Sequence, residues 1–307
     1  MKTKWLSITG CMLVGSMTLL ATCGLMQKEG DDRAKTESAP VFYTSVPVPD
    51  SMTFVGETVP LHRFEVHESM ERELLVNSYF HSQTIRFIKM APRFFSIIDP
   101  ILKENGIPAD FRYLAVAESN LDPKIVSPAG AVGLWQFMKE TAVEYGLEVN
   151  NEVDERYHIE KSTRAACRFL QSAHERYGNW TLVAAAYNSG RTFVVRQMTR
   201  QRTRNYFDLL LGEETERYLF RIMALKLILE NPEKYGFKID EAEKYPLWQT
   251  RKVAVSGAVP DFTDFAAGYG ISYKTLKYYN PWLRDVQLVN KAGKTYLIDI
   301  PVETAAK

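Results

Sequence analysis

Apolar residues recur at helical spacing through the middle of the chain and change texture near its end. Leu75 and Tyr79 belong to a first helical stripe, and a second helix is read from about Ala91 to Glu104. Gly106 and Pro108 end that helix and start the next, on which Phe111, Leu114, Ala115 and Glu118 share one face. Ser162 is read as the N-cap of a helix carrying Ala166, Phe169, Leu170, Ala173 and Tyr177, closed by Gly178. Thr181 is read as the cap of an alanine-rich helix from Leu182 to Tyr187. Tyr218, Ile222, Leu225 and Leu229 form the stripe of a late helix that stops before Pro232. After Pro246 the pattern becomes strand (Lys252–Val255), short helix (Phe262–Tyr269), short helix (Tyr273–Tyr279) and strand (Tyr296–Ile300). The fold class is therefore mainly α, an α+β chain with a large helical domain and a small βααβ domain at its C-terminal side.

The N-terminal part reads differently. Lys2 and Lys4 precede a mild apolar run from Trp5 to Ala21, as in a secretory signal. Residues 24–66 lack helical periodicity and contain Pro40, Pro47, Pro49 and Pro60, which suits an extended tether. The expected organisation is 1–23 signal peptide, 24–66 tether, 67–245 helical domain and 246–307 small domain.

Composition narrows the chemistry. Lys and Arg total 38 against 37 Asp and Glu, so no concentrated basic character favours nucleic acid. Of the three cysteines, Cys11 and Cys23 lie in the signal region. Cys167 then stands alone in the processed chain and has apolar neighbours, which predicts a packed thiol and no disulfide framework. The five histidines show no metal-ligand spacing, so no metal and no cofactor are expected.

Glu118 stands out on physical grounds. It continues a buried stripe and lies near a helix end, ahead of Asp122 and Pro123. Burial and the negative helix terminus both favour the protonated acid, the form that a general acid needs. A glutamate at a helix end is also a common cap or surface charge, so the surroundings decide. The stretch from Ser127 to Met138 is a glycine-containing loop (Gly130, Gly133) that runs into Trp135, Gln136 and Phe137. Its glycines permit close backbone approach to a ligand, and Gln136 can donate and accept hydrogen bonds together. It lacks the spacing of a phosphate loop. Asp122 precedes a proline, which suits a turn.

These residues also carry a resemblance. Ala117-Glu118-Ser119-Asn120-Leu121-Asp122-Pro123, Ser127, Gly130 to Met138 and Thr141-Ala142 resemble the catalytic domain of the soluble lytic transglycosylases, most of all the membrane-bound type D subgroup. Asp154-Glu155-Arg156 is similar to that subgroup too. Ala185 to Gly190 resembles the family's second motif, and Glu214-Thr215-Glu216-Arg217-Tyr218 its third. The resemblance implies a lysozyme-like helical fold with Glu118 as the catalytic acid/base. It also implies a saccharide groove lined by Ser127, Gln136, Met138, Tyr187 and Glu214. Tyr187 as a core aromatic, Met138 as gap filler and Glu214 as a helix-terminal charge stay open beside those roles. Trp135 suits a core anchor as well as a sugar platform.

The implied reaction is cleavage of the MurNAc-β-1,4-GlcNAc bond of peptidoglycan with 1,6-anhydromuramyl ends. The implied partners are peptidoglycan glycan strands, with no nucleic acid. Hydrolysis of the same bond by a muramidase and an inactive peptidoglycan-binding scaffold are the alternatives. Leu20-Ala21-Thr22-Cys23 is similar to a bacterial lipoprotein box, with Thr22 where a smaller residue is usual. It implies lipidation at Cys23, a membrane anchor, and an exported protein of the cell envelope or periplasm, with ordinary signal-peptidase cleavage or an uncleaved anchor as the alternatives.

The segment from Lys252 to Pro301 resembles a degenerate LysM module through Ala266, Gly270-Ile271-Ser272, Leu276, Asn280-Pro281 and Ile298 to Pro301. Ser256-Gly257-Ala258-Val259 replaces the usual Gly-Asp-Thr. Glycan binding and a packing role against the helical domain are both open for it.

Overall fold

A computed structural model describes residues 44–302. The expected signal region, Cys23 as the expected lipidation residue and the first part of the expected tether lie outside the described residues.

The chain from Thr44 onward forms one compact unit. Its body is helical: α1 (Phe64–Tyr79), α2 (His81–Glu104), α3 (Arg112–Ser119), α4 (Lys139–Glu144), α5 (Ile159–Tyr177), α6 (Trp180–Ser189), α7 (Arg191–Gln201) and α8 (Glu213–Glu230). α8 is the hub. It packs on α1, α3 and α6, while α5 packs on α2 and α6. Its buried stripe of Tyr218, Ile222, Met223, Leu225 and Ile228 has the 3.6-residue spacing read from sequence. The alanines Ala184, Ala185 and Ala186 of α6 are fully buried, so small side chains let α5, α6 and α8 approach closely. Cys167 is buried in the same core, and burial pushes its thiol up to about 11.

Several boundaries differ from the sequence reading for physical reasons. The second helix begins at His81, so Pro92 as well as Pro100 lies inside it; the buried Phe87, Ile88 and Met90 outweigh the two missing backbone donors. Ser162 does not cap α5. His158 occupies the N-cap position, and the Ser162 hydroxyl donates to the Ile159 carbonyl inside the first turn. Asn179, not Thr181, caps α6: its Oδ1 accepts the Leu182 N–H at 2.9 Å and the Thr181 hydroxyl at 2.6 Å.

The end of the segment expected as tether is folded. A small hairpin, β1 (Thr53–Phe54) with β2 (Glu57–Thr58), turns through Val55 and Gly56, both at positive φ. Phe54, Val55, Val59 and Leu61 are buried in the helical core. The Val55 N–H donates to Asp110 Oδ2 at 2.8 Å, and Glu57 accepts from the Trp180 N–H at 2.6 Å. Those partners are distant in sequence, so local pattern could not disclose them.

The C-terminal domain is β3 (Thr250–Val255), α9 (Phe262–Gly268), α10 (Tyr273–Tyr279) and β4 (Tyr296–Pro301), with β3 and β4 antiparallel and Val253 opposite Ile298. Tyr296, Ile298 and Ile300 alternate inward onto Phe262, Ala266 and Leu276. Asn280 is fully buried and fully used. Its Nδ2 donates to the Leu276 and Asp299 carbonyls, and its Oδ1 accepts the Asp299 N–H. This small core also takes in Val132, Val153 and Tyr157 from the helical body. A cavity of about 580 Å³ opens at the junction, lined among others by Ile97, Tyr157, Trp248, Tyr279 and Trp282. Glu118 does not line it.

Candidate active site

The α3 helix ends abruptly just after Glu118. Asn120 and Leu121 both take left-handed backbone conformations, at φ 55° and 56°. Asn120 tolerates this better than most residues, and its side chain is held by Gln83 of α2 at 2.8 Å. Asp122 then accepts the Lys124 N–H at 2.9 Å. It works as a turn residue, as its place before Pro123 suggests.

Glu118 is partly accessible rather than fully covered. Its carboxyl lies against the face of α8 that carries Glu214, Tyr218 and Arg221, which are spaced for one side of a helix. The buried Tyr218 hydroxyl donates a hydrogen bond to Glu118 Oε1. Arg221 lies 3.4 Å from Glu214 Oε1 and 3.9 Å from Glu73 Oε2. Glu73, on α1, is itself buried and accepts from Arg217 at 2.7 Å. The Glu118 pKa is raised from 4.5 to about 7. Desolvation is the leading cause; the Tyr218 hydrogen bond and the Arg221 charge oppose it, and the Glu214 charge adds to it. The result is an acid that is protonated in good part at neutral pH and can also return as a base.

The loop between α3 and α4 carries Ser127, Gln136 and Met138. Ser127 and Ala131 close a turn on each other, with the Ser127 N–H donating to the Ala131 carbonyl and Ser127 Oγ accepting the Ala131 N–H. Val132 and Phe137 exchange backbone hydrogen bonds, which folds residues 130–138 into a tight lip. Gln136, at φ 47°, sits at its tip and donates from Nε2 to the Gly133 carbonyl at 2.9 Å. Met138 is 41% exposed, which argues against a gap-filling role. Trp135 is a core anchor: it is fully buried and donates to Thr163 at 2.9 Å.

Tyr187 links this loop to the surroundings of Glu118. Its hydroxyl donates to the Trp135 carbonyl at 2.7 Å, and its ring meets Phe137 and Phe169. Burial and the nearby Glu118 charge push its ionisation well above the ordinary tyrosine value. Glu214 is largely exposed, stands in the first turn of α8 and pairs with Arg221.

The sequence-predicted residues thus fall in two groups. Glu118, Tyr187 and Glu214 interact directly or through their charges. Ser127, Gln136 and Met138 sit on the loop that Tyr187 props. Sequence reasoning missed Tyr218 and Arg221 as members of the site. The available signal was a hydroxyl in the apolar stripe of α8, since a buried tyrosine needs a partner.

Residues 96–210 match the Transglycosylase SLT domain, and residues 251–304 match the soluble lytic transglycosylase C-terminal LysM-like domain. Membrane-bound lytic murein transglycosylase D of Escherichia coli (strain K12) is 28% identical over 257 residues, covering 81% of this chain and 55% of that protein. The chain therefore spans about half the length of the curated relatives it matches. Among solved structures, an inactive mutant of lytic transglycosylase Slt from Pseudomonas aeruginosa is similar with a TM-score of 0.39 and 21% identity, over 50% of this chain and 26% of that one. The 70 kDa soluble lytic transglycosylase of Escherichia coli is similar with a TM-score of 0.38 and 22% identity, over 49% and 27% of the two chains.

Proposed function

We propose that this chain, which carries a transglycosylase SLT domain followed by a LysM-like domain, is a peptidoglycan lytic transglycosylase with Glu118 as its acid and base. The observation that carries the reading is a single carboxyl, enclosed enough to stay protonated near pH 7 and accessible enough to meet a substrate.

Glu118 protonates the oxygen that joins N-acetylmuramic acid to N-acetylglucosamine, and the bond from that oxygen to muramyl C1 breaks. The muramyl 2-acetamido group shares the positive charge that develops at C1. Glu118, now ionised, removes the proton of the muramyl C6 hydroxyl, whose oxygen bonds to C1. The product is a 1,6-anhydromuramyl end and a free N-acetylglucosamine 4-hydroxyl, and no water is consumed. Tyr218 supports both halves: its hydroxyl stabilises the ionised carboxylate without removing the proton altogether.

Hydrolysis through two opposed carboxylates would need a second one at the bond. Asp122 is committed to a turn, and Glu214 is exposed and paired with Arg221. Ser127, Gln136, Met138, Tyr187 and Glu214 line the glycan groove in this reading. The C-terminal domain adds affinity for glycan strands, and the N-terminal region provides export and a lipid anchor at Cys23.

The test is digestion of purified sacculi with mass spectrometry of the fragments. Wild type should release fragments one water lighter than hydrolysis products, and Glu118→Gln should release almost none. Fragments carrying the extra water would identify a muramidase. Normal release by Glu118→Gln would remove Glu118 from the mechanism.

A further inference from the structure

The LysM-like domain docks mainly on one loop of the helical body, residues 148–157. Val153 pairs with Leu283, the Asp154 N–H donates to the Trp282 carbonyl at 2.9 Å, and the Arg284 N–H donates to the Glu152 carbonyl at 2.7 Å. Glu152 Oε2 accepts the Val289 N–H at 2.8 Å and the Asn290 N–H at 3.2 Å. Arg284 lies over the Tyr157 ring at 4.2 Å.

The same loop grips the 130–138 lip, whose Trp135 carbonyl and Phe137 ring meet Tyr187, the neighbour of Glu118. Asp154 and Arg156 form a buried forked pair, with Nε at 3.0 Å from Oδ1 and the second fork at 2.7 Å from Oδ2. The remaining guanidinium nitrogen donates to the Phe137 carbonyl at 3.2 Å and the Gly130 carbonyl at 3.3 Å, the two ends of the lip. The Arg156 carbonyl fills the place that a side chain at Gly133 would take: a Cβ there would come within 2.1 Å of it. Val132, in the lip itself, is buried in the small domain's apolar cluster.

We propose that Arg156 is a positioning residue through which docking of the LysM-like domain sets the shape of the 130–138 lip, and so the placing of glycan against Glu118. The contacts run without a gap. The small domain holds the 152–154 backbone, Asp154 orients Arg156, and Arg156 holds both ends of the lip. From the lip, the Trp135 carbonyl receives Tyr187, whose ring also meets Phe137. The C-terminal domain is then part of the catalytic apparatus in addition to any grip it has on substrate. The glycan part of this inference rests on the proposed lytic transglycosylase activity; the mechanical part does not.

The experiment uses the full chain and two kinds of variant. Arg156→Met cuts the link at its centre, and Arg156→Lys keeps the charge but cannot reach both Asp154 and the lip carbonyls. The double substitution Glu152→Ala with Arg284→Ala loosens docking without touching the lip. Hydrogen exchange is read by mass spectrometry, and kcat and KM on soluble glycan strands are read in parallel. In Arg156→Met, the amides of residues 130–138 should exchange at least about tenfold faster, with α3 and α8 unchanged. The docking variant should speed the same amides, and Arg156→Lys should fall between wild type and Arg156→Met. KM should rise at least about fivefold in both main variants with kcat within about twofold, the pattern of lost substrate positioning. Combining them should add little, because they interrupt one path. If Arg156→Met does not fold, the docking variant carries the test alone. Lip exchange within about twofold of wild type in the docking variant overturns the proposal, as do fully additive effects. An inactive wild type whose lip still responds would count against the assigned reaction and leave the coupling standing.

Discussion

Replacing Glu118 by glutamine keeps the shape of the side chain and deletes its titration. It therefore isolates the free energy that enclosure imposes on the carboxyl. The folded chain raises that pKa from 4.5 to about 7. This is the reverse of the common case of a salt-bridged acid, because the native state keeps its proton longer than the unfolded chain does. Below about pH 4.5 both states are protonated, and the full stability is present. Between 4.5 and 7 the unfolded chain releases the proton while the native chain holds it, so stability falls as pH rises. Above about pH 7 the loss is complete. At about 1.4 kcal/mol per pH unit, the distance from 4.5 to about 7 amounts to about 3 kcal/mol. Urea unfolding of both proteins across pH 4 to 8 measures this directly. The stability of Glu118→Gln relative to wild type should increase by about 3 kcal/mol across that range. A difference that stays flat with pH would refute the enclosure of Glu118, and one that moved in favour of wild type would place the carboxyl in a stabilising ion pair instead.

Tyr218→Phe removes a donor that favours the ionised form of Glu118. The alkaline limb of the kcat/KM profile should move upward by about one pH unit, the lower end of the range for a hydrogen bond to a charged group. A limb that stayed in place or moved downward would deny Tyr218 that role. Gly133→Ala should cost about 3 kcal/mol or more in urea unfolding, because a Cβ would lie 2.1 Å from the Arg156 carbonyl and the residue sits at φ 80°. Gly130→Ala is the matched control: it also has a positive φ but meets nothing within 4 Å, so it should cost only about 1 kcal/mol. Asn179→Ala should lose about 1 kcal/mol with the α6 cap, measured the same way.

The helical stripes were legible in sequence because their period is local. The α8 stripe and the β3–α9–α10–β4 order of the small domain follow from spacing and turn residues alone. Caps were less legible where several cap-type residues compete. Asn179 and Thr181 are two positions apart, and only the packed start of α6 shows which oxygen meets the Leu182 N–H. The hairpin at residues 53–58 was missed because its anchors, Asp110 and Trp180, come from far along the chain. Within the site, Glu118 could be singled out by its place on a buried stripe. Tyr218 could not be paired with it, since a hundred residues separate the two. The tie between Arg156 and the lip was similarly hidden: a charged run such as Asp154-Glu155-Arg156 looks like a solvated turn until burial is seen.

The apolar cluster shared by Val132, Val153 and Tyr157 with the C-terminal domain bears on how such chains can be rearranged. A module joined only by a linker can be exchanged, duplicated or deleted with little consequence for its neighbour. Here the seam runs through the interior, so a graft from another chain would have to bring a matching set of apolar contacts or leave those three side chains facing water. Recombination at residue 246 alone would thus yield a crippled chimera, whereas a crossover that carried residues 130–157 along with the C-terminal segment would keep the seam intact.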